Sequence, residues 1–284
     1  MTRNVFRPAI QAMKDESSRV YGPIGFQDYL KNFELPPVRT AEVISVDHYS
    51  GLSSDLQSEN CMVLRLGRSA RKKCTQFALI LRDDSSLEEA YFLQDHAPGL
   101  PPVVERCSGL QSFQEKAFDS FGRRSERNLV NYGLACGALQ ELLGTCHQTV
   151  ASTGHMTSSF RFVPDSTQPN IVVEHRKGQV EIDAVLAAER NGENTLFVIE
   201  AKAANVKGLA KHKLMYGVEA LRAEVGDSVA IVPVYLNCQV GPSFRTFSIQ
   251  ECTYQKDRDG LPILDTLQGL GWKSIRIMGS SRSV

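Results

Sequence analysis

The stretch that decides the fold is GQVEIDAVLAAERNGENTLFVIEAKA, residues 178–203. Two strand-like runs, 180–187 and 195–201, flank Asn191-Gly192, a dipeptide suited to a two-residue type I′ turn because both positions need a positive φ. Such a turn sets the register. Arg190 faces Glu193, and counting outward puts Asp183 opposite Glu200 and Glu181 opposite Lys202. Facing residues of an antiparallel pair share one side of the sheet with Cα atoms about 4.5–5.5 Å apart, so these four side chains are expected on one patch. Carboxylates that close repel unless something cationic lies between them, either a divalent metal or the ammonium of Lys202.

Strand alternation turns Glu200 and Lys202 to one face, continued toward the turn by Val185, Ala187, Leu196 and Val198. The other face carries Ile182, Ala184, Leu186, Phe197 and Ile199, so the hairpin is predicted to be covered on both sides, as in a central sheet. Charged groups at one end of a buried hairpin are costly to desolvate, which marks them as a candidate site. The runs around the hairpin extend the pattern. Residues 125–143 (SERNLVNYGLACGALQELL) predict a helix before it; residues 207–224, with Ala210, Leu214, Val218 and Leu221 at helical spacing, predict one after it. Residues 229–236 (VAIVPVYL) then read as a buried strand.

An Asp on one strand and Glu-x-Lys on the next, here Asp183 and Glu200-Ala201-Lys202, followed by a helix and a strand, resembles the PD-(D/E)XK nuclease superfamily. Within it, the chain looks most like a type II restriction endonuclease. The similarity covers about residues 116–240, and Ile182 stands where the family name has Pro. The resemblance implies a mixed α/β fold, a central mixed β-sheet flanked by helices. It also implies Asp183, Glu200 and Lys202 as catalytic residues. Asp183, Glu200 and the Ala201 backbone carbonyl would hold Mg²⁺, with Mn²⁺ as a substitute, and Lys202 would position or deprotonate the attacking water. Hard oxygen ligands suit Mg²⁺, and a metal beside a phosphodiester activates water and offsets developing charge. A further ligand could come from the preceding helix, as Glu126 or Glu141, or from Glu181, which otherwise pairs with Lys202. Glu126 in a first helical turn is also simply favourable to the helix dipole. Double-stranded DNA as substrate, a homodimer matched to palindromic sites and a cognate DNA methyltransferase as genetic partner follow from the resemblance. A structure-specific repair or recombination nuclease, or a DNA-binding protein that has lost cleavage, are the alternatives.

Composition limits the rest. The 284 residues are 42% hydrophobic, and Lys plus Arg equals Asp plus Glu at 32 each, so the formal net charge is zero. A DNA enzyme with no overall excess must concentrate positive charge where phosphates lie. Arg65, Arg68, Arg71, Lys72 and Lys73 form one such cluster, and Arg123, Arg124 and Arg127 another. His175, Arg176 and Lys177, and Lys207, Lys211, His212 and Lys213, flank the hairpin and are the better candidates for phosphate contact. Any of them can equally be solvated surface. Glu-x-Lys alone is weak, since facing Glu and Lys residues are most often a surface ion pair worth about 0–1 kcal/mol.

Seven cysteines with no C-x-x-C pair read as reduced, mostly buried thiols of a cytoplasmic protein. No signal peptide and no apolar run near the roughly 20 residues of a membrane span is evident. Residues 41–48, 61–66, 75–82 and 90–93 read as strands of an antiparallel sheet. HAPGLPP, residues 96–102, punctuates the chain, so the expectation is an N-terminal β-rich domain over 1–110, for DNA recognition or dimerisation, and a catalytic domain over 111–284. Past Gly241, runs 244–252 and 273–278 predict closing strands around a short helix, 261–270.

Overall fold

The computed structural model describes residues 4–69, 74–83, 87–95, 103–120, 122, 125–145, 150–203 and 208–279. The strands in chain order are β1 (Val20–Gly25), β2 (Cys61–Arg68), β3 (Thr75–Leu81), β4 (Phe92–Leu93), β5 (Val104–Cys107) and β6 (Val150–Phe162). They continue as β7 (Val173–Arg190), β8 (Glu193–Ala203), β9 (Leu209–Ala210), β10 (Ala230–Val240), β11 (Phe244–Thr253) and β12 (Gln268–Met278). The α-helices are α1 (Arg7–Asp15), α2 (Phe26–Asn32), α3 (Thr40–Ile44), α4 (Ser54–Ser58) and α5 (Leu87–Tyr91). After them come α6 (Ser112–Ser120), α7 (Glu126–Ala135), α8 (Ala138–Leu143) and α9 (Lys211–Val225).

Ten of these strands form one mixed sheet in the order β1-β3-β2-β7-β8-β10-β11-β12-β5, with β6 also paired to β7. The fold is mixed α/β, a large sheet flanked by helices. β8 and β10 are parallel, joined by a crossover that contains α9. That helix lies close to the sheet because of Gly217: a Cβ there would stand 3.0 Å from Val198 Cγ1. The hairpin is covered on both faces. Val180, Ile182 and Val198 join a core with Leu214, Met215 and Val218 of α9, while Ala184, Leu186, Phe197 and Ile199 join another with Leu129 and Val130 of α7 and Leu139 and Leu142 of α8.

Packing crosses the expected boundary near residue 110. The core under α9 also holds Phe6, Tyr29, Leu64, Phe77 and Phe92. Arg82, 6% exposed, lies 3.0 Å from both Asp165 and Asp265. The short strand β5 adds to the far edge of the sheet beside β12.

Four local expectations are corrected. Residues 41–48 and 90–93 were predicted as strands, yet 40–44 form the short helix α3 and 90–91 end α5; β-branched and aromatic residues give strand propensity that tertiary packing overrides here. The helix over 125–143 is two helices, because Gly137 at φ 77° breaks it between α7 and α8. The helix over 261–270 is absent: the Val163 N–H donates to the Pro262 carbonyl and the Leu264 N–H to the Val163 carbonyl, a 3₁₀ turn spans Leu264–Thr266, and β12 begins at Gln268. Gly271 at φ 128° is incompatible with a continuing helix. Among the described residues no helix is long and apolar enough to cross a membrane.

Candidate active site

Asn191 (φ 55°) and Gly192 (φ 82°) close the hairpin, and β7 and β8 pair in the predicted register from Arg190↔Glu193 as far as Ala184↔Ile199. There the ladder stops. One residue further on, the Asp183 carboxylate accepts the Ala201 backbone N–H at 2.9 Å, so a side chain takes the place of a main-chain acceptor. On the opposite edge of β7, the register against β6 shifts between Ser152↔Val185 and Gly154↔Ile182, which places a bulge at positions 183–184. A bulge bends the strand and re-aims its side chains, as it commonly does beside functional sites. Because β6 holds one edge of β7 over residues 173–187, the other edge passes from β8 at residue 184 to β2 at Arg176, and no strand among the described residues pairs with it between them.

The charged groups gather at this opening. Glu200 and Lys202 are 5% and 4% exposed, with Lys202 Nζ 3.3 Å from Glu200 Oε1 and 3.3 Å from Glu126 Oε1. From α9, Lys213 Nζ reaches Asp47 Oδ1 at 2.7 Å and Glu200 Oε1 at 3.6 Å. Among the described residues, four carboxylates, Asp47, Glu126, Asp183 and Glu200, thus stand around two ammonium groups, an excess of two negative charges when all are ionised. Burial, and then Asp183, push the Glu200 carboxyl up to about 7 against the pull of Lys202 and Lys213. Lys202 also moves up, for a different reason. Burial works to lower it, but Glu200, Glu126 and Asp183 more than offset that and hold it above the ordinary lysine range. Burial raises the Asp47 carboxyl too, yet Lys213 foremost holds it below its usual value.

Residues 107–262, just over half of the 284-residue chain, match the family model described as Domain of unknown function (DUF6997). The chain belongs to this family. No curated protein and no solved structure matches it. The DUF6997 segment contains Glu126, Asp183, Glu200, Lys202 and Lys213, whereas Asp47 reaches the site from outside it.

Several expected residues of this DUF6997 protein lie elsewhere. Glu181 is exposed, faces His155 of β6 and does not pair with Lys202 among the described contacts; the bulge and the end of the β7–β8 ladder separate them. Glu141 pairs at 3.5 Å with Arg106, away from the hairpin. Ala201 is buried, and its register partner on β10 is Leu236. Arg68, Arg176 and Lys177 are exposed on the strands bordering the opening. Lys211 is turned inward, its Nζ donating to the Glu89 and Asp265 carbonyls at 2.9 and 2.8 Å, so it is not placed for phosphate contact. His212 is likewise buried, and burial lowers its imidazole to about 3, leaving it neutral. Arg71, Lys72, Lys73, Arg123, Arg124 and Lys207 lie outside the described residues.

The sequence reading missed Asp47 altogether and gave Lys213 only a phosphate role. No local spacing announces Asp47, which sits 166 positions before its ion-pair partner.

Oxygen donors are what the site offers a cation. Among the described residues no three carboxylate, histidine or cysteine groups converge as a ready cage, since Lys202 and Lys213 hold the Glu200 oxygen instead. Mg²⁺ needs few protein ligands, typically one or two carboxylates with water and substrate phosphate completing its shell. Asp183 and Glu200 fit that demand, and the excess of two negative charges among the described residues matches one divalent cation.

Proposed function

We propose that this protein is a Mg²⁺-dependent endonuclease that hydrolyses phosphodiesters of double-stranded DNA, of the restriction type. The observation that carries the reading is the charge-deficient cluster in which buried Glu200 and Lys202 lie with half-buried Asp183 at the point where β7 and β8 part. Burying Glu200 and Lys202 beside three further carboxylates is unfavourable for stability alone, so a binding or catalytic role accounts for it better than a structural one.

Asp183 and Glu200 hold the cation, which supplies Lewis acidity at the phosphate and at the attacking water. Lys202 stays protonated, because three carboxylates surround it, and therefore cannot take the proton of the water. Its ammonium instead stabilises the charge that builds on the phosphate oxygens. The water oxygen bonds phosphorus in line as one ester P–O bond breaks; the water proton leaves to solvent, and the departing alkoxide takes one from it. Glu126 and Asp47 keep the two lysines in place. Exposed Arg68, Arg176 and Lys177 supply phosphate contacts beside the opening. Palindromic substrates call for a two-fold dimer, a cognate methyltransferase would protect host DNA, and a DNA substrate puts the enzyme in the cytoplasm.

Incubation of the purified protein with plasmid and Mg²⁺, or Mn²⁺, tests the proposal. Fixed fragments support a restriction enzyme. Cutting only of branched or damaged DNA redirects the reading to repair, and binding with no cutting of any DNA overturns it.

A further inference from the structure

Beside the cluster lies a cleft of about 400 Å³, bordered by residues of the N-terminal segment, β2, β7 and α9. Three of its lining side chains have polar atoms that are buried and unsatisfied: His175 Nδ1, His212 Nδ1 and Tyr216 Oη. The residues are only 2%, 5% and 6% exposed. Buried polar atoms are almost always bonded, so three orphans on one cavity point to a partner that arrives from outside. Their rings form a continuous aromatic wall. His175 stacks on Phe160, 4.7 Å away at 11°, Tyr216 is tilted against His175 at 4.9 Å, and Tyr216 meets His212 edge-on at 5.4 Å.

The chemistry of the cleft narrows the ligand. Both imidazoles are neutral at physiological pH, so the wall offers directional hydrogen bonds without charge. Charge comes from other lining residues: Arg65 on β2 and Lys213 on α9 are cationic, Asp47 and Glu181 acidic, and Lys213 is already paired with Asp47 and close to Glu200. The volume falls within the range of small-molecule sites and accommodates one planar heterocycle with its sugar. A flat ring with donors and acceptors on its edge, joined to an anion that lies toward Arg65, is a nucleotide.

We infer that this cleft receives a nucleobase swung out of the DNA strand next to the phosphate at the cluster, its edge bonded by His175, His212 and Tyr216. The inference rests on the nuclease reading for the strand that delivers the base, and on the cleft itself for the recognition. Extruding a base costs unstacking, which contacts in such a pocket return. Gln179 and Glu181, exposed on β7 between its pairings with β2 and β8, add an amide and a carboxylate that can read amino groups of the base.

Equilibrium binding of the four deoxynucleoside monophosphates and of deoxyribose 5-phosphate to the full-length protein tests the pocket without any need for cleavage. At least one monophosphate is expected to bind, the base-free sugar phosphate is not, and Tyr216→Phe, which removes one oxygen, weakens the monophosphate about fivefold. In the second arm, 2-aminopurine is moved along a DNA duplex bound in Ca²⁺; brightening at one position, lost in Tyr216→Phe, identifies the extruded base. Equal binding of the base-free compound, or binding unaffected by both Tyr216→Phe and His212→Asn, overturns the pocket. Should the protein cut plasmid yet fail both arms, the pocket falls and the nuclease stands. If it binds monophosphates through Tyr216 but cuts no DNA, the nuclease falls and the cleft is a site for free nucleotides.

Discussion

Replacing Glu200 by Gln isolates the charge deficit of the cluster. Glu200 is pushed from 4.5 up to about 7 by burial and by Asp183. An acid whose pKa is higher folded than unfolded binds its proton more tightly in the folded state. Folding stability is therefore unpenalised below the unfolded value, falls as pH rises from 4.5 toward 7, and bears the full loss above that. At ~1.4 kcal/mol per pKa unit, most of a ~3 kcal/mol loss accrues between pH 5 and pH 8. Gln carries the shape of the protonated acid and does not titrate. In chelator, urea unfolding followed by Trp272 fluorescence should show the stability difference between Glu200→Gln and wild type shifting by ~2–3 kcal/mol in the variant's favour between those two pH values. Saturating Mg²⁺ at pH 8 should shrink the shift, because the cation replaces the proton on wild type only. A difference that stays constant with pH would refute the reasoning, for Glu200 would then ionise as an ordinary carboxyl.

Other consequences follow from single contacts. Lys202→Ala and Asp183→Ala should each lower DNA cleavage at least ~100-fold in gel assays while leaving binding in Ca²⁺ detectable, the loss expected when a group acts on transition-state charge. Lys211→Ala should destabilise the fold by ~2 kcal/mol in urea, since its ammonium bonds two main-chain carbonyls, yet leave the salt dependence of DNA binding unchanged. Arg176→Ala, by contrast, should reduce the slope of log K against log salt by about one without affecting stability. Asp265→Ala strips one carboxylate from buried Arg82 and should cost ~3 kcal/mol, visible as an earlier denaturation midpoint with unchanged m.

How far the sequence could be read depends on the range of the forces involved. Asn191-Gly192 dictates its turn through local backbone sterics, and the register out to Ala184↔Ile199 follows from counting. The apolar alternation of β7 and β8 likewise announced a hairpin covered on both sides. Counting failed where Asp183 took the Ala201 N–H, because a side chain that competes with main-chain acceptors ends the ladder and introduces a bulge that no periodicity reveals. Glu181 was thereby detached from Lys202. The strand forecast at 41–48 and the helix at 261–270 failed for another reason: each is a short segment whose weak propensity yields to its neighbours. Asp47 and the inward turn of Lys211 are products of the packing of the N-terminal segment against α9, a contact between distant parts of the chain that only the folded molecule discloses.

Binding of Mn²⁺ followed by electron paramagnetic resonance at pH 8, on wild type, Asp183→Asn and Glu200→Gln, tests most directly whether the cluster is a divalent-cation site. The account predicts that wild type removes Mn²⁺ from the free signal, that excess Mg²⁺ displaces it, and that both variants lose at least ~10-fold in affinity. Equal Mn²⁺ binding by all three proteins would contradict it.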